Sequence, residues 1–155
     1  MTRLLQLFEE LASQPRTQHG PGFDIVLYSA DLYWDRAVHE MLRQLARVEK
    51  TLQKRLLACR MDLCDEDTLR AAKLLLLPTP GDNSLLRGFQ ALQRQIPLLV
   101  NESAPELQEL CRESNAGLAY SDADELRECL ELLLTDETLR MAMGANGHKF
   151  IGAQA

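Results

Sequence analysis

The stretch from Lys73 to Ser84 has the sequence Lys-Leu-Leu-Leu-Leu-Pro-Thr-Pro-Gly-Asp-Asn-Ser. Four consecutive leucines make both faces of an extended chain apolar, and the residues from Pro78 onward are typical of a turn. A short run of this kind is typical of a central parallel strand that helices cover on both sides. We therefore expect a buried strand here, followed by a loop that leads into a helix.

The rest of the sequence alternates between short apolar runs and segments with an apolar residue at every third or fourth position. The short runs predict further strands over 23–28, 56–61, 96–100 and 118–120. The periodic segments predict helices up to Pro15, over 34–55, from Asp65, from Leu85, over 104–112, from Asp122 and over 136–143. We expect Asn115-Ala116-Gly117 to end one helix with a glycine cap, and the residues from Gly144 to Ala155 to form a polar tail. The alternation predicts an α/β fold, a three-layer Rossmann-like open parallel sheet of about five strands with helices on both faces.

The composition indicates a helix-rich, acidic domain. The 155 residues include 31 Leu but only 3 Ile and 4 Val, and 17 Lys plus Arg against 23 Asp plus Glu give a net charge of −6. Leucine favours helices, whereas strands prefer the β-branched residues that are scarce here. The length predicts one domain over 1–150 with a tail over 151–155. Nucleic-acid binding needs clustered Lys and Arg at the phosphates, so we expect no nucleic-acid partner.

The cysteine pattern and the short apolar runs favour a cytoplasmic protein without a metal site or a membrane span. Cys59, Cys64, Cys111 and Cys129 form no Cys-x-x-Cys pair, and no His-x-x-x-His pair accompanies them. Zinc sites need such close ligand pairs, so we expect no metal site and reduced thiols in a cytoplasmic protein. No apolar run approaches the roughly 18 residues that span a bilayer, and the N-terminus is amphipathic and unlike a signal peptide.

Ligands of such sheets bind at the carboxyl ends of the strands, which selects the loops 28–33, 78–85 and 101–106. The sequence contains neither Gly-x-Gly-x-x-Gly nor Gly-x-x-x-x-Gly-Lys-Ser/Thr, so no dinucleotide or nucleoside triphosphate cradle is expected. Backbone N–H groups of the loop 79–84 at a helix start suit an anion, although Asp82 or Ser84 as a plain N-cap explains the same residues. His19, His39 and His148 have no visible acid or nucleophile partner, and we expect them to be solvated.

Five segments occur in the order and at the spacing of a known family. Leu74–Thr79 corresponds to the family's apolar strand followed by Pro-Ser, and Gln95–Val100 corresponds to its Gly-x-Pro strand. Ala104–Leu107 corresponds to the Gly-Gly-x-Pro-Glu loop, and Asn115–Leu118 corresponds to Asn-Gly-Leu-Leu. Thr135–Gly147 corresponds to the ending Asp-Pro-Glu-Leu-Arg-x-x-Met-Gly-x-x-Gly. The chain from Lys73 to about Lys149 thus resembles the C-terminal half of the retaining glycosyltransferases of the two-Rossmann-domain (GT-B) fold, group 1, family 4 type. Residues 56–72 resemble the preceding strand and helix more weakly.

This resemblance implies a nucleotide-sugar donor site. The family's Glu-x7-Glu pair, associated with the donor sugar and the ribose, corresponds to Asp82 and Gln90. The N–H groups of Asn83, Ser84 and Leu85 would face the diphosphate, and Pro105 with Glu106 stands for the family's Pro-Glu. The implied ligand is a UDP- or GDP-sugar, with no other cofactor and with no catalytic residue assigned.

Several departures limit the implied activity. Gln90 lacks the charge of the family's glutamate, and the opening Gly-Arg-Leu strand, with the Arg and Lys that neutralise the diphosphate, has no counterpart. A diphosphate leaving group needs positive charge around it. We therefore expect a donor-binding half that is inactive or weakly active without an N-terminal domain or partner protein to complete the GT-B cleft. The alternatives are a non-catalytic GT-B-like scaffold or protein-interaction domain, and another open α/β module such as a receiver-like or TIR-like domain.

Overall fold

A parallel sheet lies at the centre of the fold. The computed structural model describes residues 23–29, 43, 47, 55–78 and 84–154. The sheet has the order β2-β1-β3-β4-β5 and consists of β1 (Phe23–Tyr28), β2 (Arg55–Arg60), β3 (Leu74–Leu77), β4 (Leu98–Asn101) and β5 (Gly117–Tyr120). Every pair of neighbouring strands is parallel. The predicted five-stranded parallel sheet is confirmed.

Helices connect the strands and cover both faces of the sheet. After a short 3-10 turn at Met61–Leu63 they are α1 (Glu66–Ala71), α2 (Ser84–Gln93), α3 (Pro105–Ser114), α4 (Ala123–Thr135) and α5 (Glu137–Gln154). The predicted N-terminal helix lies outside the described residues. Of the helix predicted over 34–55, Arg43 and Arg47 are described and helical, while Arg55 already belongs to β2. None of the helices in the described part of the chain is long and apolar enough to cross a membrane.

The strand β3 has the central position that its four leucines predict. Leu74 and Leu76 belong to an apolar cluster with side chains of α4, whereas Leu75 and Leu77 belong to a second cluster with side chains of α2 and α3. All four leucines are fully buried. The alternation of side chains along a strand thus supplies one layer of core to each face of the sheet.

Acidic side chains cap the starts of three of the predicted helices, and one of them is Asp136, which accepts from the Leu139 N–H at 2.9 Å before α5. The Asp65 carboxylate accepts a hydrogen bond from the Thr68 backbone N–H at 2.7 Å, and the Asp122 carboxylate accepts one from the Glu125 N–H at 2.8 Å. Each bond satisfies an N–H group that the first turn of a helix leaves without a partner. The predicted starts of α1 and α4 are confirmed.

The predicted polar tail from Gly144 is wrong, because α5 continues through it to Gln154. A Cβ atom on Gly144 would lie 2.4 Å from the Gln95 carbonyl oxygen, and one on Gly147 would lie 2.7 Å from Leu92. The glycines therefore allow α5 to cross closely over the end of α2. Phe150 and Ile151 then pack against the second apolar cluster.

The predicted glycine cap after α3 is also wrong. The left-handed residue is Asn115, with φ 53° and ψ 34°, and Gly117 instead begins β5. Asparagine tolerates this conformation because its short polar side chain bonds locally. A Cβ atom on Gly117 would lie 2.4 Å from Cys111 Sγ, so glycine is required there for close packing of α3 on the sheet.

Gln95 also has a left-handed backbone, with φ 61°. We expect Gln95→Gly to raise the free energy of unfolding by about 1 kcal/mol. The left-handed conformation costs roughly 1–2 kcal/mol for residues with a Cβ, and the greater freedom of glycine in the unfolded chain cancels only part of the gain. Urea denaturation measures the change. Asn115→Gly is the matched control, and an equal gain at both positions would contradict strain specific to Gln95.

Candidate functional site at the carboxyl edge of the sheet

The strand order places a topological switch point between β1 and β3. The chain leaves β1 toward β2 on one side, and β3 pairs with β1 on the other side. The Ser29 N–H donates to the Leu76 carbonyl oxygen at 3.2 Å, so the two strands stay together to their carboxyl ends. Doubly wound sheets bind ligands in the crevice at such a point. The remainder of the predicted loops 28–33 and 78–85 lies largely outside the described residues.

The loop between β4 and α3 has a defined turn. The Asn101 side-chain oxygen accepts from the Ser103 N–H at 2.9 Å, and the Asn101 carbonyl oxygen accepts from the Ala104 N–H at 3.1 Å. The adjacent Tyr120 is buried, which raises its pKa to about 12, and its hydrogen bond with the Asn101 side chain opposes this rise. These contacts hold the loop in the conformation that positions the start of α3.

Two predicted site residues open α3. Pro105 and Glu106 are exposed at its first turn, and the N-cap residue Ala104 makes no side-chain capping bond. The N–H groups of the first turn are therefore not satisfied by a cap, and they carry the positive end of the helix dipole. This start suits an anion, although the Glu106 carboxylate occupies part of the same positive field.

Two further predicted residues open α2. Ser84 is the first residue of the helix and is buried, and Leu85 is half-buried. Asp82 and Asn83 lie outside the described residues. The structure thus places the starts of α2 and α3 on the same edge of the sheet, as expected for helices that follow neighbouring parallel strands.

Gln90 lies apart from these residues. It is six residues beyond Ser84, or roughly 9 Å along the helix axis at 1.5 Å per residue. Its side-chain oxygen faces Arg87 Nη1 at 3.4 Å, and its carbonyl oxygen accepts from Arg94 Nη1 at 3.0 Å. The sequence prediction did not include Arg87, although a spacing of three residues places both side chains on one helix face.

Arg94, the residue directly after α2, forms an ion pair with Glu66 of α1. Its Nε and Nη2 donate to the two carboxylate oxygens of Glu66 at 3.0 and 3.1 Å. This hydrogen bonding lowers the pKa of Glu66. Two arginines therefore contact Gln90. Arg87 faces its side chain, whereas Arg94 is already paired with the Glu66 carboxylate.

Leu85 and Glu106 line a common groove of about 520 Å³ between α2, α3 and the end of α5. The other lining residues are Phe89, Gln93, Glu109, Leu110, Glu113, Phe150, Ile151 and Gln154. The floor is apolar and the charged groups on the rim are carboxylates. A diphosphate requires positive charge and hydrogen-bond donors, whereas this groove offers apolar side chains and carboxylates.

Clustered cations occur at the other end of the sheet. Arg70, Lys73 and Arg140 line a cavity of about 250 Å³ beside Pro97, together with Glu137. Lys73 and Pro97 directly precede β3 and β4, so the cavity lies at the amino ends of these strands. This positive charge is therefore at the edge opposite the candidate ligand site.

The four thiols are free, and two of them form a contact. The hydrogen bond between Cys59 and Cys64 raises the pKa of Cys59 and lowers that of Cys64, while burial alone raises the pKa of Cys111 to about 12. Cys64 Sγ also lies 3.0 Å from the Arg60 carbonyl oxygen. Within the described ranges, no group of three or more His, Cys, Asp or Glu side chains is arranged to hold a metal ion.

A family model described as glycosyl transferase-like matches residues 6–155. The chain belongs to the glycosyl transferase-like family. Among curated proteins no match to the chain is found. The crystal structure of WaaG, a glycosyltransferase involved in lipopolysaccharide biosynthesis, superimposes on 99% of the chain with a TM-score of 0.65 and 17% sequence identity. The domain therefore has the Rossmann-like architecture of the GT-B glycosyltransferases.

This glycosyl transferase-like chain spans 48% of the length of WaaG. The match thus concerns about half of a glycosyltransferase of that fold. Of the predicted site residues, Ser84, Leu85, Pro105 and Glu106 lie at the starts of two adjacent helices, and Gln90 lies deeper on α2. These two helix starts lie at the edge of the sheet where the general rule for doubly wound sheets expects ligands.

Proposed function

We propose that this domain binds a nucleotide-sugar donor, as part of a glycosyltransferase whose transfer reaction requires a second domain or a partner protein. Membership of the glycosyl transferase-like family supports the proposal. The observation that carries it is the pair of adjacent helix starts at the carboxyl edge, at Ser84 and at the uncapped Pro105. Helix N-termini bind phosphates through their backbone N–H groups and the helix dipole.

Each predicted residue has a role in this proposal. The N–H groups of Asn83, Ser84 and Leu85 hold the diphosphate, and Asp82 accepts a hydrogen bond from a hydroxyl of the sugar. Gln90 accepts from or donates to the ribose diol, and the neighbouring Arg87 lies within reach of its side chain. Pro105 and Glu106 border the sugar. No further cofactor is part of the proposal.

The charges of the described residues support the further proposal that this domain alone transfers sugar weakly or not at all. A leaving diphosphate must be stabilised as its charge develops. Arg94 is bound to Glu66, and Arg70, Lys73 and Arg140 lie at the amino edge. Additional cations supplied by a second domain would complete the site. The four free thiols are typical of a reducing compartment, so we place the domain in the cytoplasm.

A thermal-shift titration tests donor binding. We expect UDP-glucose or GDP-mannose to stabilise the domain by about 2.7 kcal/mol at a hundred times its Kd, which raises Tm by roughly 5–10 °C. Asp82→Ala should reduce this shift to a small fraction, because the sugar loses its carboxylate partner. Inorganic pyrophosphate distinguishes binding of the diphosphate from binding of the whole donor.

The matched control is Asp124→Ala, which removes an exposed carboxylate from the first turn of α4. This variant should keep the full shift. A Tm that does not change with any UDP, GDP or ADP compound would refute donor binding. An equal loss of the shift in both variants would refute the role of Asp82.

The acidic apolar groove favours a second candidate function, a non-catalytic protein-interaction domain. A nucleotide pocket does not need the partly exposed apolar side chains of α2 and α5 that line the groove. Failure of every nucleotide together with binding of a polypeptide at the groove would favour this function over donor binding.

A further inference from the structure

The groove between α2, α3 and α5 exposes an apolar floor. Leu85 and Phe89 lie on the same face of α2, and Phe150 and Ile151 lie at the end of α5. All four side chains are only partly buried, although they pack against the second apolar cluster. Partly exposed aromatic and aliphatic side chains in a concave surface are typical of the anchor positions of protein interfaces.

The rim of the groove is acidic along its α3 side. Glu106, Glu109 and Glu113 are exposed there, and no lysine or arginine is among the described residues that line the groove. Arg112 binds Glu109 and lowers its pKa, and Glu113 lies beside this pair. Three carboxylates against one guanidinium leave the rim with an excess of negative charge.

The spacing of the carboxylates defines the shape of a complementary partner. Glu106 and Glu113 are seven residues apart on α3, which corresponds to two turns and roughly 10 Å along the axis. Two cations seven residues apart on a partner helix have the same separation. A small molecule with one cation would reach only one end of this row.

We propose that the groove binds a basic amphipathic helix of a partner polypeptide. Leucine-like side chains of that helix pack on Leu85, Phe89 and Phe150, and its lysines or arginines face Glu106 and Glu113. Helix-in-groove recognition of this kind uses apolar anchors at positions i, i+3, i+4 and i+7. The carboxylates select basic over acidic helices and accelerate the approach of the partner.

A model peptide tests the proposal on the full chain. The probe is a fluorescent amphipathic leucine–lysine helix of about 18 residues, or five turns, and a leucine–glutamate peptide of the same pattern is the charge control. We expect fluorescence anisotropy to show saturable binding of the lysine peptide and none of the glutamate peptide. Glu106→Gln with Glu113→Gln should raise Kd about tenfold, because both terminal carboxylates of the row become neutral.

Two matched controls separate groove binding from general attraction to an acidic protein. Asp124→Asn with Glu128→Gln removes the same number of exposed charges from α4 and should change Kd less than about twofold. Leu85→Ala should raise Kd about tenfold, whereas Leu86→Ala, on the exposed side of the same helix, should not. Equal effects of the two charge pairs or of the two leucine variants would overturn the proposal, as would absence of saturable binding.

Discussion

Leu76→Ala is expected to lower the free energy of unfolding by about 3 kcal/mol, as deletion of a buried leucine side chain typically does. Leu76 is fully buried in the central strand and belongs to the apolar cluster that contains Val26, Leu99 and Leu130. The parallel strands on both sides and α4 above it prevent the site from closing around the smaller side chain. Urea denaturation measures the loss as a lower midpoint at an unchanged m-value.

Leu86→Ala is the control for this prediction. Leu86 lies on α2 and is 52% exposed. Alanine is at least as good a helix former, so we expect a change within about 0.5 kcal/mol. Similar losses at both leucines would contradict the central, doubly covered position of β3.

Gly144→Ala is expected to lower the free energy of unfolding by about 2 kcal/mol. The new Cβ would lie 2.4 Å from the Gln95 carbonyl oxygen, a backbone atom that no rotamer change can move away. The helix must therefore shift off the end of α2, and this cost exceeds the roughly 1 kcal/mol by which alanine favours a helix over glycine.

Gly152→Ala provides a matched control on the same helix. A Cβ atom there meets no atom within 4 Å. Because no steric clash offsets the higher helix propensity of alanine, we expect the free energy of unfolding to rise by about 0.5 kcal/mol. The two substitutions therefore have opposite signs in the same denaturation experiment. A loss at Gly152 or a gain at Gly144 would show that α5 does not pack closely over Gln95.

The sheet could be predicted from sequence because its signals are local. Four leucines ended by Pro78 predict a strand buried on both faces, and Asp65 and Asp122 predict helix starts through their side-chain caps. The resemblance to the glycosyltransferases followed from the order of such elements, and the family match confirms it. Each strand and helix start depends on residues close together in the chain, and the resemblance depends on the order of such segments.

The two wrong predictions, the polar tail from Gly144 and the glycine cap after α3, concern positions where contacts with residues distant in the chain determine the structure. Glycine has a low helix propensity, so Gly144 and Gly147 predict an end to a helix, yet contact with Gln95 and Leu92 makes glycine necessary inside α5. In the same way, the packing of α3 on the sheet requires Gly117, and the left-handed cap moves to Asn115. Neither contact can be inferred from the local pattern.

The candidate site was only partly predictable for the same reason. The rule for parallel sheets places Ser84 and Pro105 at one edge, and both residues start helices there. The spacing of the Glu-x7-Glu motif predicted Gln90 as a site residue. Its distance along α2 from Ser84 and its contact with Arg87 depend on the helix geometry, which the motif does not give. The commitment of Arg94 to Glu66 involves residues 28 positions apart, which no motif indicates.

The course of α5 also bears on the cooperativity of unfolding. Met143, in the first half of this helix, belongs to the cluster on one face of the sheet, whereas Phe150 and Ile151 pack against the cluster on the other face. Detaching this helix exposes apolar surface of both layers at once, so its loss destabilises the whole domain and not one half of it. The two layers of core therefore behave as one cooperative unit, held together across the sheet by the helix that follows it in the chain.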